Sequence, residues 1–383
     1  MTAWSPITTA TPPAKWTWAK SRLAKTILLS FRMPQKETSM TINPSSTRIL
    51  ITGANGFIGL HTVLHFLQLG YKVSATVRTE EHEKKVRETL SKHVDTHKLE
   101  FFQADLLNDK GWDQAVNGCD FVLHLASPFP SEAPKDENEL ILPARAGTLR
   151  VLHAVQKGGV KRVVLVSSVA AVTGGHEKEN RIFNEKDWTD VSKTNYAYAK
   201  SKTLAERAAW EFIDSPENKT GMELVSVNPS NVFGPVLDNR HHTSTEWFRT
   251  LLRREIPGLT RTQLNLVDVR DVVEMITQAV STPSAAGKRF IANGASIPLE
   301  EFASILHRHF ASRGYRVPTR LLPDWLVRFF AIFIPKTRPV VEAMGWTYSL
   351  STEQARSILG WQARPYEGTI VEMAESLIEH GLV

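Results

Sequence analysis

The stretch RILITGANGFIGLHTVLHFLQLG (48–70) limits the possible folds of this chain more than any other. RILITG is a short apolar strand candidate that ends in glycine. The residues after it carry helical spacing at Ile58, Val63, Leu64, Phe66 and Leu67 and stop at Gly70. Between strand and helix stand Gly53, Gly56 and Gly59, three residues apart. Glycine lets a chain turn sharply and lets a ligand approach the backbone. The free amides and the positive end of the following helix favour an anionic group such as a pyrophosphate. A glycine triplet alone is a weak signal. Its place after a strand, before a helix and in the first strand–helix–strand unit is the context that dinucleotide binding requires.

The same alternation continues. KVSATVR (72–78), LEFFQAD (99–105), FVLHLAS (121–127), RVVLVSS (162–168) and ELVSVNPS (223–230) read as strands. Helical patterns at 80–96, 109–117 and 139–159 separate the first of them. Strands that are apolar throughout are buried on both faces, so the fold class is α/β, a Rossmann-like doubly wound parallel sheet. Farther on, a helix is expected over 267–280 and a short strand over 288–293. Helices near 298–313, 323–334, 351–358 and 366–381 are expected to build a smaller, mostly helical substrate lobe. The expected division is an N-terminal extension (1–45), a dinucleotide-binding domain (46–230 plus about 262–295) and a substrate-binding lobe (about 231–261 plus 296–383).

Composition narrows the function classes. The formal charge is +6, and residues 1–36 hold six Lys or Arg and no acid. The rest is close to balanced, so no nucleic-acid footprint is expected. The acid-free start is compatible with a mitochondrial transit segment, a flexible tail or a misplaced start at Met40; otherwise a cytoplasmic location is expected. The single cysteine, Cys119, allows no disulfide within the chain and fits a buried small residue. The longest apolar run, WLVRFFAIFI (325–334), is too short to span a bilayer and reads as a core or pocket-wall helix, with a membrane-surface role as the alternative. The 13 histidines are scattered without convergent acidic or Cys partners, so no metal site is expected. No G-x-S-x-G elbow points to hydrolysis.

The end of the second strand selects the dinucleotide. An acid there binds a ribose 2′-hydroxyl. Here Arg78 occupies the position, and a guanidinium pairs with a 2′-phosphate. NADP(H) is therefore expected, held at the turn by Gly53, Asn55, Gly56, Phe57, Ile58 and Gly59, with Asp105 and Leu106 near the adenine.

NYAYAKSKTLAE (195–206) holds two Tyr-x-x-x-Lys pairs, Tyr196/Lys200 and Tyr198/Lys202. At ~100° per residue, Tyr198 and Lys202 share a stripe with Ala205, Ala209 and Phe212. Small and apolar neighbours make this the packed face. Tyr196 and Lys200 lie on the other side, with Thr203, Arg207 and Asp214, and that side is expected to face solvent. Hydride transfer to a carbonyl leaves an alkoxide that needs a proton. A phenol, with an ordinary pKa of about 10, becomes a better acid beside an ammonium. Ser167 and Ser168 close the fifth strand, and alternation allows only one of them to line a site.

TGANGFIG, the ADL at 104–106, HLASPF, VSSVAAV, YAKSKTLAERAAWEF, NPSNVFGP and DVRDVV together resemble the extended short-chain dehydrogenase/reductases. Within them the chain is most similar to the dihydroflavonol-reductase-like group, with its cinnamoyl-CoA and fungal aldehyde and ketone reductases. The resemblance implies a catalytic set of Ser168, Tyr198 and Lys202. It places Arg78 on the 2′-phosphate, Ala126 and Ser127 along the ribose and nicotinamide, and Asn228, Pro229 and Ser230 beside the nicotinamide. It puts Phe129, Pro130 and Val232 near the substrate. The segment VAAVTGGHEKEN after the serines lacks the part expected to read a flavonoid, which argues against such a substrate. A small apolar or aromatic carbonyl is expected instead, with Trp247, Phe248, Trp325, Phe329 and Phe330 as pocket or core residues, in a monomer or homodimer. Rival readings are an NAD(P)-dependent epimerase/dehydratase, a 3β-hydroxysteroid-type dehydrogenase and a non-catalytic dinucleotide sensor.

Overall fold

Seven strands form one parallel sheet: β1 (Arg48–Thr52), β2 (Lys72–Val77), β3 (Leu99–Gln103), β4 (Phe121–His124), β5 (Arg162–Val166), β7 (Glu223–Pro229) and β10 (Lys288–Ala292). Their spatial order is β3-β2-β1-β4-β5-β7-β10. The order reverses between β1 and β4, and ligands of such sheets bind in the crevice outside that reversal. The computed structural model describes residues 42–128, 136–240, 242–334 and 337–383. Most of the N-terminal extension, and with it Phe129 and Pro130, lies outside the described residues.

Burial on both faces is legible residue by residue. In β1, Ile49, Leu50 and Ile51 have no exposed surface. Alternation sends Ile49 and Ile51 into one core and Leu50 into the other. In β5, Val164 and Val166 share the first core, and Val163 and Leu165 the second. The first core is closed by α1 (Phe57–Gln68), through Leu60, Val63 and Phe66, and by α8 (Val269–Ser281). The second is closed by α3 (Trp112–Val116), α4 (Asn138–Lys157) and α6 (Ala197–Asp214). The helix α2 (Glu80–Leu90) joins β2 to β3; its N-cap Thr79 accepts from the His82 amide.

The expected helix over 267–280 starts two residues later than its periodicity suggests. Val267 and Asp268 end a strand, β9 (Gln263–Asp268), and Asp268 then caps α8 by accepting from the Arg270 amide at 2.8 Å. β9 pairs with β8 (Asn231–Phe233) and β11 (Ala295–Pro298) in a three-stranded sheet. β8 and β11 are only three and four residues long, and β9 runs directly into the helical pattern of α8, so none of them stands out in the sequence as a strand. A smaller pair joins β6 (Ile182–Phe183) to β12 (Ser349–Leu350). The C-terminal part adds α7 (Thr243–Leu252), α9 (Leu299–Phe310), α10 (Asp324–Phe333), α11 (Arg338–Ala343) and α12 (Tyr366–Glu379). Where a helix was expected at 351–358, a single wide π turn spans Ala355–Leu359.

Candidate active site

At Gly53 and Gly59 the turn between β1 and α1 has no room for a side chain. Gly53 has φ of 70°, and a Cβ there would stand 3.0 Å from the backbone of Ala126. A Cβ on Gly59 would lie 2.2 Å from the Gly53 carbonyl oxygen. The turn, the Ala126–Ser127 segment after β4 and the start of α1 therefore meet at the carboxyl edge of the sheet. Thr52 binds them together. Its Oγ1 accepts from the Leu125 and Ala126 amides at 3.1 and 3.0 Å and lies 2.9 Å from His124 Nδ1. With both lone pairs engaged, the Thr52 hydroxyl donates to Nδ1, and His124 carries its proton on Nε2. Burial holds His124 neutral, with its pKa lowered to about 3, and the charge of Lys202 adds to that lowering.

Two buried polar atoms at this edge, His124 Nε2 and Ser230 Oγ, have no hydrogen-bond partner among the described residues. Buried polar groups are normally paired. The Cβ-free cradle and these two orphans fit a polar ligand lying from the glycine turn toward Ser230, as a dinucleotide would.

At the end of β2, Arg78 is exposed and forms no ion pair among the described residues. His82 one turn into α2 has its pKa lowered by burial and by the charges of Arg78 and Arg240. A second guanidinium therefore shares this region, which the sequence did not single out. Arg240 is held by Asp238 at 2.6 Å, and Asp238 also meets His242 at 3.5 Å. His242 packs against Phe57 with ring centroids 5.6 Å apart. Asp105 turns back on its own loop, where it accepts the Leu107 amide at 2.9 Å. Leu106 packs on α4 at Gly147, 2.8 Å from where a Cβ would be.

On α6 the two tyrosines part. Tyr196 is 58% exposed, while the phenol of Tyr198 is desolvated and hydrogen-bonded to Ser168. Burial pushes the Tyr198 pKa up to about 12, with Ser168 opposing and Tyr196 adding to the rise. Burial is the largest influence on this phenol, and it acts opposite to the lowering expected from a lysine at i, i+4. Lys202 is itself buried and donates to the Val166 carbonyl at 3.3 Å. Its pKa is lowered to about 8 by desolvation, against the charge of Glu206. Lys200 instead reaches Glu137, just before α4, at 2.7 Å. Thr203, expected on the solvent side, is fully buried, and its hydroxyl returns to the Ala199 carbonyl at 2.7 Å. α6 packs on α4 as well as on the sheet, so its buried arc is wider than one stripe.

The two serines part as well, and Glu206 is the reason. Ser167 donates to Glu206 at 2.6 Å. The same carboxylate accepts from Asn228 at 2.8 Å and pairs with Arg289 at 2.7 Å. Arg289 lies over the Trp188 ring at 3.7 Å. This network holds Ser167 inward and leaves Ser168 to meet Tyr198. It also engages Asn228, whose amide further donates to the Ser168 carbonyl at 3.2 Å. Asn228 thus faces the protein interior, while Ser230 keeps the orphaned hydroxyl. Glu206 was visible only as part of a family pattern, because a lone Glu on a helix carries no sign of burial.

Val232, expected near the substrate, sits in β8 within the apolar core. Phe248 is fully buried in the same core, whereas Trp325, Phe329 and Phe330 are exposed. Cys119 is buried, and desolvation raises its thiol to about 11. His309, expected to lack an acidic partner, meets Glu367 at 3.1 Å. Among the described residues no three potential metal ligands converge.

The desolvated Lys202 predicts a pH effect. Its ordinary pKa is 10.5 and its folded value about 8. Between those values the unfolded chain binds more protons, so this group's contribution makes stability rise with pH across that window. Lys202→Met is expected to be more stable than wild type below pH 8, with the gap closing toward pH 10.5. Urea midpoints of both proteins across this range check it; a constant gap contradicts it.

Fold and site define a dinucleotide-dependent oxidoreductase with a Ser–Tyr–Lys grouping at the edge of its sheet. The model of the NAD dependent epimerase/dehydratase family matches residues 49–293, and the chain belongs to that family, in the dihydroflavonol-reductase-like group of the extended short-chain dehydrogenase/reductases. Cinnamoyl-CoA reductase CAD2 of Medicago truncatula is 33% identical over 86% of this chain and 95% of its own length. The bifunctional dihydroflavonol 4-reductase/flavanone 4-reductase of Malus domestica is 31% identical over 72% of this chain and 79% of its own. Yeast methylglyoxal/isovaleraldehyde reductase Gre2, solved with NADPH, superposes with a TM-score of 0.74 at 27% identity, covering 88% of this chain and 100% of that one.

Proposed function

We propose that this protein uses NADPH to reduce an aldehyde or ketone to the alcohol, with Tyr198 as proton donor. The observation that carries this reading is the meeting of Tyr198 with Ser168 and of Lys202 with the Val166 carbonyl at the carboxyl end of β5. When bound, the cofactor supplies the hydride. The chain's own residues supply the rest. In the turn, Gly53 and Gly56 spend their amides on Thr76 and on the Gly53 carbonyl and, with Gly59, make room, while Asn55, Phe57 and Ile58 offer theirs to the pyrophosphate. Ser168 orients the carbonyl oxygen toward the phenol. Tyr198, kept protonated by burial, has a proton to give at neutral pH and passes it to the developing alkoxide. Lys202, one turn along, stabilises the phenolate that remains. In this reading residues 46–230 with about 262–295 hold the cofactor, and about 231–261 with 296–383 hold the substrate.

The relatives named above include reductases of a cinnamoyl thioester and of small aldehydes. They support a small apolar or aromatic carbonyl as substrate class. An epimerase would be expected to carry an acid where Arg78 stands.

Arg78 with Arg240 nearby supports NADPH over NADH. Losing a charge-assisted hydrogen bond of about 1.5–3 kcal/mol corresponds to roughly 10–100-fold in affinity. Arg78→Ala is therefore expected to raise the KM for NADPH by about that factor and to leave that for NADH nearly unchanged. Initial rates with both cofactors test it, and an equal effect on the two would contradict the assignment.

A further inference from the structure

We propose that α10 and the basic groove beside it form a docking surface for anionic phospholipid bilayers. α10 reads DWLVRFFAIF, and it buries only the narrow stripe of Val327 and Ala331. At ~100° per residue, Ile332, Trp325, Phe329, Phe333 and Phe330 fill the opposite arc. Their exposures are 67, 68, 51, 67 and 44%. Leu321 before the helix and Ile334 after it are exposed too. Single exposed apolar residues are ordinary. A short helix that turns nearly all its large apolar side chains outward marks an interaction face.

The segment leading into α10 borders a groove lined in part by Arg254, His307, Arg316 and Arg320, with no Asp or Glu in its lining. Leu259 pins that segment, donating to the Arg320 carbonyl and accepting from the Leu322 amide, both at 2.8 Å. Groove and helix face therefore belong to one anchored strap. Arg328 stands at the edge of the apolar arc and is exposed. Over residues 313–338 there are six Lys or Arg and one acid, Asp324.

Charge selects the occupant. A second copy of this chain packed face to face through this same surface would set like charge against like charge. So would the chain's own N-terminal stretch, with its six cations and no acid in residues 1–36. An anionic bilayer satisfies both halves of the surface. The aromatic and aliphatic side chains enter the boundary between headgroups and acyl chains, and the guanidiniums stay with the phosphates. A ten-residue helix is about 15 Å long. No described helix is long and apolar enough to cross a membrane. α10 would lie in the interface plane.

The test is co-sedimentation of the full-length protein with vesicles of phosphatidylcholine alone and of phosphatidylcholine mixed with phosphatidylserine. Binding to the mixed vesicles is expected, weaker at high salt. The double variants Phe329→Glu/Phe333→Glu and Arg316→Glu/Arg320→Glu should each weaken it by at least about tenfold. Thermal midpoints and NADPH fluorescence titrations establish that both variants are folded. No binding to mixed vesicles overturns the proposal. So does binding that survives both double substitutions, since the basic N-terminal stretch would then carry it. A wild type that self-associates and becomes monomeric in Phe329→Glu/Phe333→Glu, by size-exclusion chromatography, overturns it in favour of a second copy.

Discussion

Tyr198→Phe is expected to lower kcat by about 10²–10⁴-fold, the usual worth of a positioned proton donor, while the Kd for NADPH changes little. The substitution removes one hydroxyl from a half-enclosed ring whose phenol meets Ser168. It leaves the glycine turn, Arg78 and Lys202 in place. Tyr196→Phe is the matched control, since that ring is 58% exposed and stands at the start of the same helix. It should be nearly silent. Single-turnover rates and fluorescence titrations of NADPH separate chemistry from binding for both variants. Equal losses in the two would mean that the helix faces have been misassigned.

Glu206→Ala should be the most destabilising change at the site. Glu206 has no exposed surface and Arg289 only 8%, so the substitution leaves a buried guanidinium without its carboxylate. Breaking such a pair from one side costs about 3–5 kcal/mol. Ser167 and Asn228 lose an acceptor at the same time. The urea midpoint should fall accordingly, with cofactor binding lost in proportion to unfolding. Glu206→Gln keeps an acceptor for Ser167 but removes the charge that supports protonated Lys202. It should fall between wild type and Glu206→Ala in stability. An unchanged midpoint in Glu206→Ala would mean that Arg289 finds sufficient partners in the Glu185 and Asp187 carbonyls, which it already reaches at 2.8 and 2.7 Å.

These two residues also mark how far the sequence could be read. The parallel sheet was legible because its strands are apolar on both faces, and Tyr198 was separable from Tyr196 by helix geometry alone. Strand ends were read one to three residues too long, because residues such as Ser167 and Ser168 continue the sequence pattern after the ladder has stopped. Thr203 was misplaced because a helical wheel shows one buried face, and α6 has two neighbours. Glu206, Thr52 and His124 were out of reach for a different reason. Their importance lies in which distant groups they meet: Arg289, the Ala126 amide and Lys202. Spacing along one element does not encode such meetings. Arg240 belongs with them, since only the folded loop brings it near His82. The outward face of α10 was the opposite case. Its sequence suggested a core or wall helix, and the packing buries only Val327 and Ala331.

The central claim is a reductase that draws on NADPH and takes its proton from Tyr198. The most direct measurement is the rate of NADPH consumption, with NADH in parallel, on a panel of aromatic and aliphatic aldehydes and ketones, for wild type, Tyr198→Phe and Tyr196→Phe. The predicted result is turnover that favours NADPH and disappears only in Tyr198→Phe. No turnover with any carbonyl, together with a cofactor that co-purifies and does not exchange, would contradict the claim and place the protein among the epimerases and dehydratases of its family.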